Sequence, residues 1–375
     1  MPFQRFNVGS AKAFRKKKEK AFAGLLGYLY VWGTGNTGRL GLSNTTYYSS
    51  PKQVGSLTNW SVISGAGNQS YSIKTDGTMW SWGGNNVGQL GLGNTTDYSS
   101  PKQVGAGTSW SKVQADDSVV DAIKTDGTLW VWGRGQYGAL GLGNTTNYSS
   151  PKQVGALTNW SIASTANGSN YAVKIDGTLW AWGSNPQGEL GIGNTTYYSS
   201  PKQIGALTTW SKVSAGSNSG YAIKTDGTLW SWGYGPSGRL GLNNITSYSS
   251  PKQVGALTNW TYIFGGSGGV MAVKTDGTMW AWGYGGYGSL GVNNATYYSS
   301  PKQVGALTNW STVETKAGNV VALKTNGTLW AWGQNGQGQL GLGNIINSSS
   351  PQQVGGGTSW GSASAGSGHT LAILN

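Results

Sequence analysis

The sequence predicts an all-β protein that folds as a seven-bladed β-propeller of four-stranded blades. A fifty-residue unit recurs seven times without insertion or deletion, as the Trp-Gly pair that repeats from Trp32 to Trp332 shows best. A unit of this size cannot bury a core alone, and repeats of short strands at this period are typical of propeller blades. The two ends of the array are partial units that together complete one blade.

Residues 51–100 show the predicted strands in order. Residues 51–55 form the first strand, because Pro51 is tolerated at a first strand position. Residues 60–64 and 71–75 form the second and third strands. Asp76-Gly77 then makes a two-residue hairpin turn, since glycine tolerates a positive φ, and residues 78–82 form the fourth strand. We expect the recurring tryptophans to lie in the core, because each blade is covered on both faces by its neighbours.

The two ends of the chain predict how the ring closes. Residues 28–32 occupy a fourth-strand position, and residues 371–375 occupy a third-strand position. We expect the N-terminal strand to pair beside the C-terminal strands, which closes the ring and removes exposed sheet edges. The predicted domains are an N-terminal arm, residues 1–25, and a propeller, residues 26–375.

The composition argues against an enzyme. The chain has no cysteine and one histidine, and outside the arm it has two glutamates. No carboxylate pair, nucleophile constellation or metal-ligand cluster stands at a suggestive spacing, so we expect no catalytic residue, no cofactor and no metal. Asp116, Asp117 and Asp121 form an acidic group that could hold a cation, but a solvated loop is the favoured interpretation.

Several motifs resemble the regulator of chromosome condensation repeat family. They are the Leu-Gly-Leu-Gly run at 90–93, Pro51 with Val54, Asp76-Gly77-Thr78, Trp82-Gly83 and the Gly-Ser-Gly-His-Thr run at 366–370. The resemblance covers residues 26–375 and implies a seven-bladed propeller. For the eukaryotic founder type it also implies a basic tail that touches chromatin and a face that exchanges nucleotide on a small nuclear GTPase.

The same resemblance implies that exchange activity relies on an inserted wedge and on acidic residues around one face. The unbroken fifty-residue step leaves no room for an inserted wedge, and acidic residues are few. Near-identical units without insertions look more like the repeats of bacterial and bacteriophage surface or virion proteins. The sequence is therefore identified as a bacterial or phage-type member of the family.

Variation between the units predicts a binding surface. The loops after the second and fourth predicted strands differ from unit to unit, and in an antiparallel blade both lie on the same face. Loops that vary on a rigid scaffold often carry binding, and tyrosine and arginine are favoured at interface hot spots. Relaxed drift of solvent-facing loops is the alternative. The predicted partner-binding residues are Asn68, Gln69, Asp116, Asp117, Arg134, Tyr137, Tyr234, Tyr284, Tyr287 and His369.

The N-terminal arm is strongly basic, with seven Lys/Arg and one Glu in residues 1–25. It imitates a signal peptide, but the repeat register assigns residues 28–32 to a blade strand, so no signal peptide is predicted. No apolar run is long enough to cross a membrane. We expect the arm to be helical and docked on a partner. Its predicted anchoring residues are Phe14, Arg15, Lys16, Lys17, Lys18, Lys20 and Phe22.

Together these features predict a non-enzymatic structural or binding protein of a bacteriophage virion, such as a decoration, fibre or adhesin-like component. Its expected partners are other virion or assembly proteins through residues 1–25 and a host-surface ligand through the variable face. Its expected location is the virion or the outer surface of an assembly. Two alternatives stay open: a guanine-nucleotide exchange or regulatory propeller of the eukaryotic type, and a nucleic-acid-binding protein that uses the basic arm.

Overall fold

The computed structural model describes residues 27–375, which form seven antiparallel sheets of four strands each. Numbered along the chain and grouped by sheet, the strands are, for blade 1, β3 (Trp60–Gly65), β4 (Gln69–Lys74), β5 (Met79–Gly83) and β6 (Tyr98–Gln103); for blade 2, β7 (Trp110–Ala115), β8 (Val119–Lys124), β9 (Leu129–Gly133) and β10 (Tyr148–Gln153); for blade 3, β11 (Trp160–Ala166), β12 (Ser169–Lys174), β13 (Leu179–Gly183) and β14 (Tyr198–Gln203); for blade 4, β15 (Trp210–Gly216), β16 (Ser219–Lys224), β17 (Leu229–Gly233) and β18 (Tyr248–Gln253); for blade 5, β19 (Trp260–Gly265), β20 (Gly269–Lys274), β21 (Met279–Gly283) and β22 (Tyr298–Gln303); for blade 6, β23 (Trp310–Lys316), β24 (Asn319–Lys324), β25 (Leu329–Gly333) and β26 (Ser348–Gln353); and for the closing blade, β27 (Trp360–Ala365), β28 (His369–Leu374), β1 (Tyr28–Gly33) and β2 (Tyr48–Gln53).

The predicted seven-bladed propeller is confirmed, with one difference in where a blade begins. The proline-containing strand was expected to start each blade, but it is the outermost strand of the preceding one: β6, which contains Pro101, pairs with β5 through Trp80 and Gln103. An inner strand forms backbone hydrogen bonds with a neighbouring strand on each side. Proline has no N–H to donate, so a strand that contains it is tolerated at the edge of a sheet. The blade therefore runs from residue 60 to residue 103.

The closing blade confirms the predicted pairing of the two ends. β1 runs antiparallel to β28, with Tyr28 opposite Leu374 and Gly33 opposite His369. Because the proline strand belongs to the preceding blade, β2 joins this sheet as well. Two strands from each end of the described chain thus complete the ring.

The tryptophans are core residues, as expected. Trp82 and its equivalents in the other six blades are fully buried, and the Trp82 indole Nε1 donates to the carbonyl oxygen of Arg39 at 2.9 Å. Trp60 packs edge-to-face against Trp80 and Trp82, with ring centroids 6.2 and 6.3 Å apart. The apolar clusters join each blade to the next, so the core lies between blades.

Four short 3₁₀ turns follow the third strand in the closing blade and in blades 2, 4 and 5. They are Asn36–Gly38, Gln136–Gly138, Pro236–Gly238 and Gly286–Gly288. Within residues 27–375 no helix is long and apolar enough to cross a membrane.

Candidate functional site

The variable face consists of the loops that follow the first and third observed strands of each blade, such as residues 66–68 and 84–97. These are the loops that the sequence predicts to vary together. Within a blade they are joined by a main-chain hydrogen bond, as from Gly84 N to Asn68 O at 2.9 Å and from Tyr284 N to Gly268 O at 3.0 Å. Both sets therefore lie at the same end of the propeller.

The loops after the third strand have two conformations, which sequence reasoning missed. Position 85 and its equivalents are either glycine or asparagine. A Cβ on Gly35 would lie 2.2 Å from the Thr46 carbonyl oxygen, so that loop needs glycine. Asn85 instead is fully buried and its Nδ2 donates to the carbonyl oxygens of Asn94 and Thr96, both at 3.0 Å. The alternation of Gly and Asn in the sequence was the signal for two loop types.

The glycine-type loops display tyrosine. Tyr137 and Tyr287 have φ values of 60° and 58°, in the left-handed region that β-carbon-bearing residues seldom adopt. Their side chains are 49% and 53% exposed. Thr37 and Ser237 have the same conformation in the other two glycine-type loops, so the turn belongs to the loop type and the tyrosines add exposed aromatic surface to it.

Further tyrosines surround these two. Tyr137 stacks on Tyr197 of the next blade with ring centroids 5.1 Å apart, and Tyr284 packs against Tyr297 at the same distance. The half-buried Tyr234 lies over the guanidinium carbon of Arg239 at 4.8 Å. We call this group the tyrosine sector; it extends over blades 2 to 5 and comprises Tyr137, Tyr197, Tyr234, Tyr284, Tyr287 and Tyr297.

Of the other predicted partner-binding residues, Asn68, Asp117 and Arg134 are exposed on the variable face. Gln69, Asp116 and His369 are buried, so they support the loops and do not present side chains at the surface. Gln69 Nε2 donates to the Asp117 carbonyl oxygen of the next blade at 2.9 Å.

His369 helps to close the ring. Its Nε2 lies 3.0 Å from Ser70 Oγ in blade 1, and burial, with a smaller contribution from Arg39, lowers the pKa of His369 to about 3. The imidazole is therefore neutral at physiological pH. Arg39 Nη1 donates to the carbonyl oxygens of Ser367 and Gly67, at 2.8 and 3.2 Å, which ties the closing blade to blade 1.

The acidic group of blade 2 does not form a cation site. Lys316 of blade 6 forms an ion pair with Asp116 and lies 3.4 Å from Asp117. Lys316 comes from the opposite side of the ring, so this contact spans the axis. Asp121 is separate from them, 1% exposed and without a hydrogen-bond partner, and burial raises its pKa well above the ordinary value. No group of metal-ligating side chains occurs in residues 27–375.

The axis beneath this contact is narrow and polar. Serine hydroxyls link successive blades there, as Ser64 Oγ accepts from Ala115 N at 3.1 Å and Ser164 Oγ accepts from Ala215 N at 3.0 Å. Burial raises the pKa of Glu314, which accepts from Ser364 Oγ at 2.7 Å, to about 7. The free volume is about 30 Å³, on the order of one water molecule, so the axis holds no small-molecule site.

Comparison with known proteins identifies the family of this chain. A model of the RCC1-like domain matches residues 28–372, which is nearly all of the described chain. The chain belongs to the RCC1-like domain family. A search of curated proteins found no significant sequence match for this RCC1-like chain.

Solved structures agree with this family. Prp20p from Saccharomyces cerevisiae superposes with a TM-score of 0.84 at 18% identity, over 96% of this chain and 94% of that one. Human WBSCR16 superposes with a TM-score of 0.83 at 18% identity, over 93% of this chain and 99% of that one. At this identity the likeness shows a shared fold.

These findings correct the predicted function. The expectation of a bacteriophage virion component is wrong, because the similar structures are yeast and human propellers and nothing in them points to a virion. The comparisons support the RCC1-like family and give no support to a bacterial or phage subtype, nor to virion partners. The eukaryotic regulatory alternative fits them better. The predicted anchoring residues Phe14, Arg15, Lys16, Lys17, Lys18, Lys20 and Phe22 lie outside the described residues.

Proposed function

We propose that this RCC1-like chain is a regulatory protein that works by binding, and that its variable face binds a protein partner through the tyrosine sector. One observation carries the proposal. Five exposed tyrosines, two of them on left-handed turns, are gathered over blades 2 to 5 of a scaffold that otherwise repeats itself. Tyrosine gives a large, rigid contact area at low entropic cost and is favoured at interface hot spots.

The relatives support a protein partner. The structural study of Prp20p describes its binding to Gsp1p and histones, and a second structure shows yeast RCC1 (Prp20) bound by Kap60. Those partners belong to Prp20. By analogy of fold we propose a protein partner for this chain too, and binding or regulation, not chemistry on a small substrate, as its role.

Guanine-nucleotide exchange on a small GTPase is the more specific form of the proposal. The resemblance in sequence implies it, and the agreement in fold with Prp20p over 96% of the chain favours it. The fifty-residue step supplies no inserted wedge. Exchange would therefore have to use the tyrosine sector itself.

The test changes the sector without disturbing the fold. Tyr137, Tyr284 and Tyr287 are each replaced by Thr, because Thr34 and Thr37 occupy the equivalent positions in the closing blade. Tyr47→Asn, which copies the natural Asn147, is the matched control outside the sector. A purified small GTPase loaded with fluorescent GDP and a purified histone dimer are the two probes, followed by GDP release and by calorimetry.

We expect the unaltered chain to bind one of the probes, and the triple variant to lose about 10-fold or more in affinity, the effect of removing a hot spot. The Tyr47→Asn variant should bind like the parent. If the triple variant binds as tightly as the control, the tyrosine sector is not the binding surface. Accelerated GDP release would establish the exchange function.

We also propose that residues 1–25 attach the propeller to a partner. The support is charge, since the arm carries seven basic residues and one acidic residue, and residues 26–375 carry 18 and 11. Attachment to nucleic acid predicts binding that weakens steeply with salt and is lost when residues 1–25 are deleted. Binding to a duplex that survives that deletion would assign it to the propeller.

A further inference from the structure

Grooves run between consecutive blades, and residues of the long loop after the third strand form part of the wall, as residues 241–243 do between blades 4 and 5. The groove between blades 4 and 5 has a volume of about 340 Å³, and the one between blades 3 and 4 has about 360 Å³. Apart from Asn243, each residue that lines the groove between blades 4 and 5 lies fifty positions after a residue that lines the groove between blades 3 and 4. The walls between blades 4 and 5 are formed by Leu242, Val254 and Leu257 from one blade and by Trp260, Lys274 and Trp280 from the next.

Lys274 places a positive charge in the groove, with most of the side chain covered by the two tryptophan rings. The residue is 6% exposed, and its Nζ lies 3.7 Å from the centroid of the Trp280 ring and 4.9 Å from that of Trp260. Burial lowers its pKa, partly offset by Asp276. Within residues 27–375 the Nζ makes no hydrogen bond and no ion pair. The two rings hold the ammonium by cation–π contacts and leave its N–H groups free to donate.

The indole N–H of Trp260, which is buried behind the groove wall, also lacks a partner. Trp260 is 3% exposed and its indole N–H has no acceptor among residues 27–375. In blade 2, a Cβ added to Gly107 would lie 3.8 Å from the equivalent indole nitrogen of Trp110. The N–H therefore lies beside the position that Leu257 occupies in the groove wall. The ammonium, two tryptophan rings and aliphatic side chains face one space, which Asn243, Gln253 and Ser300 also line. Neither the ammonium nor the indole N–H has an acceptor within bonding distance among residues 27–375.

We propose that each such groove binds a short peptide segment of a partner protein in which an apolar side chain stands next to a carboxylate. The carboxylate accepts from the ammonium, and the apolar side chain packs between the leucines and Trp280. The chain's own arm is the wrong occupant, because its seven basic residues would meet a lysine. A peptide fits better than a free small molecule, because grooves repeated around the ring can hold several motifs of one flexible chain.

The sequence provides internal controls. Five grooves have the complete set of Leu, Trp, Lys and Trp, at Leu57, Leu157, Leu207, Leu257 and Leu307 and the residues that follow them. Blade 2 has Gly107 in place of the leucine. The closing blade has Gly357, Leu374 and Tyr30 where the others have Leu, Lys and Trp.

The test uses a blocked Gly-Ser-Phe-Asp-Ser-Gly peptide and its Phe-Asn counterpart, titrated into the full chain and followed by the tryptophan indole N–H resonances. We expect the Phe-Asp peptide to shift the indoles of the five complete grooves and to bind about 10-fold more tightly than the Phe-Asn peptide, as expected for a charge-assisted hydrogen bond. Lys274→Met should weaken binding to a similar extent at Trp260 and leave Trp210 unaffected. Lys252→Met removes an exposed lysine over Tyr248 and should change nothing.

Two further variants keep the proposal testable if Lys274→Met fails to fold. Leu257→Gly copies the natural Gly107 and should weaken binding at Trp260. Gly107→Leu completes the blade 2 groove and should make Trp110 respond. Equal binding of the two peptides, or an unchanged response of Trp260 in both Lys274→Met and Leu257→Gly, would overturn the proposal.

Discussion

Asp121 is a residue of the blade 2 repeat that destabilises the fold. Its carboxyl is 1% exposed and has no hydrogen-bond partner among residues 27–375. Three other blades have tyrosine at this position, and the Tyr71 hydroxyl donates to the Gln89 carbonyl oxygen at 2.8 Å. The same carbonyl position in blade 2 is Ala139, so a tyrosine there would find its acceptor.

We therefore expect Asp121→Tyr to raise the free energy of unfolding by about 1–3 kcal/mol, the usual cost of a buried polar group without a partner. In the unfolded chain this carboxyl ionises near pH 3.8, and in the folded chain at a much higher pH. The parent thus loses stability as pH rises above 3.8, and the gain should be larger at pH 8 than at pH 5. Urea unfolding at both pH values measures it.

Asp126→Asn is the matched control for this change. Asn326 occupies the equivalent turn position in blade 6 and accepts the same Thr hydrogen bonds as Asp126. The control should therefore not become more stable at pH 8. A destabilised Asp121→Tyr variant would mean that the space beside Asp121 cannot hold a ring.

His369 has the opposite pH dependence. The unfolded imidazole protonates near pH 6.5, but the buried one does so only near pH 3. Its contribution to stability is complete above pH 6.5 and is lost as pH falls toward 3. The loss can reach about 2 kcal/mol at pH 5, since each pH unit between the two pKa values is worth about 1.4 kcal/mol.

Replacing His369 with Gln should reduce that acid sensitivity. Gln69 occupies the equivalent position in blade 1 and donates to the next blade, so the substitution keeps an inter-blade contact. Thermal unfolding at pH 5 and pH 7.5 compares the two proteins. An unchanged difference between the two pH values would assign the acid sensitivity to other groups.

At the residue scale, the sequence predicted which residue types occupy the variable positions, but it did not predict which of these side chains are buried. Gln69 and His369 look like loop residues, but each is the first residue of a strand and already points inward. The ion pair between Lys316 and Asp116 joins residues two hundred positions apart, and no local spacing could have indicated it. The exposed tyrosines were predictable because they interrupt the repeat at positions where other units have small or polar residues.

At the scale of the strand, the second tryptophan of each pair locks a blade to the preceding one. Trp182 is fully buried and its indole N–H donates to the Ala139 carbonyl oxygen of blade 2 at 3.1 Å. Trp180, two residues earlier, is partly exposed and donates at 2.9 Å to Thr178 within its own blade. The two side chains look alike in sequence but join different parts of the structure.

We expect Trp182→Phe to destabilise the protein by about 2–4 kcal/mol, through the lost hydrogen bond and the space left behind. Trp180→Phe is the matched control and should cost less than about 1 kcal/mol, because its environment is partly solvent. Urea midpoints measured for both variants test this. Equal losses would show that the inter-blade hydrogen bond contributes little.

The sequence did not show at which strand each blade begins. A period of fifty residues is the same wherever the unit is cut, so it cannot show whether the proline strand begins one blade or ends another. The decision depends on pairing between β5 and β6 across a fourteen-residue loop, residues 84–97. The number of strands, their order and the Asp-Gly turns followed from local patterns.

At the scale of the whole molecule, the closing blade holds the ring together. Deleting residues 369–375 removes β28 and leaves both β1 and β27 without their shared neighbour. We expect the truncated ring to lose its cooperative unfolding transition and to associate through the open sheet edges. Light scattering after size-exclusion chromatography, with urea unfolding, measures both effects.

Deletion of residues 1–25 is the control, and it also tests the predicted domain boundary. β1 begins at Tyr28, so this truncation leaves every strand of the ring in place. The midpoint of unfolding should stay within experimental error of the parent. A large decrease would show that the arm belongs to the folded unit.

The shared closing blade also imposes an order on biosynthesis. β1 leaves the ribosome first, but its partner β28 is made only after six complete blades have followed. Throughout that interval β1 has an open edge on one side, while strands of almost the same sequence appear every fifty residues. A nascent chain of this kind is exposed to pairing in the wrong register, and we expect its folding yield in cells to depend on chaperones that cover the first strands until translation ends.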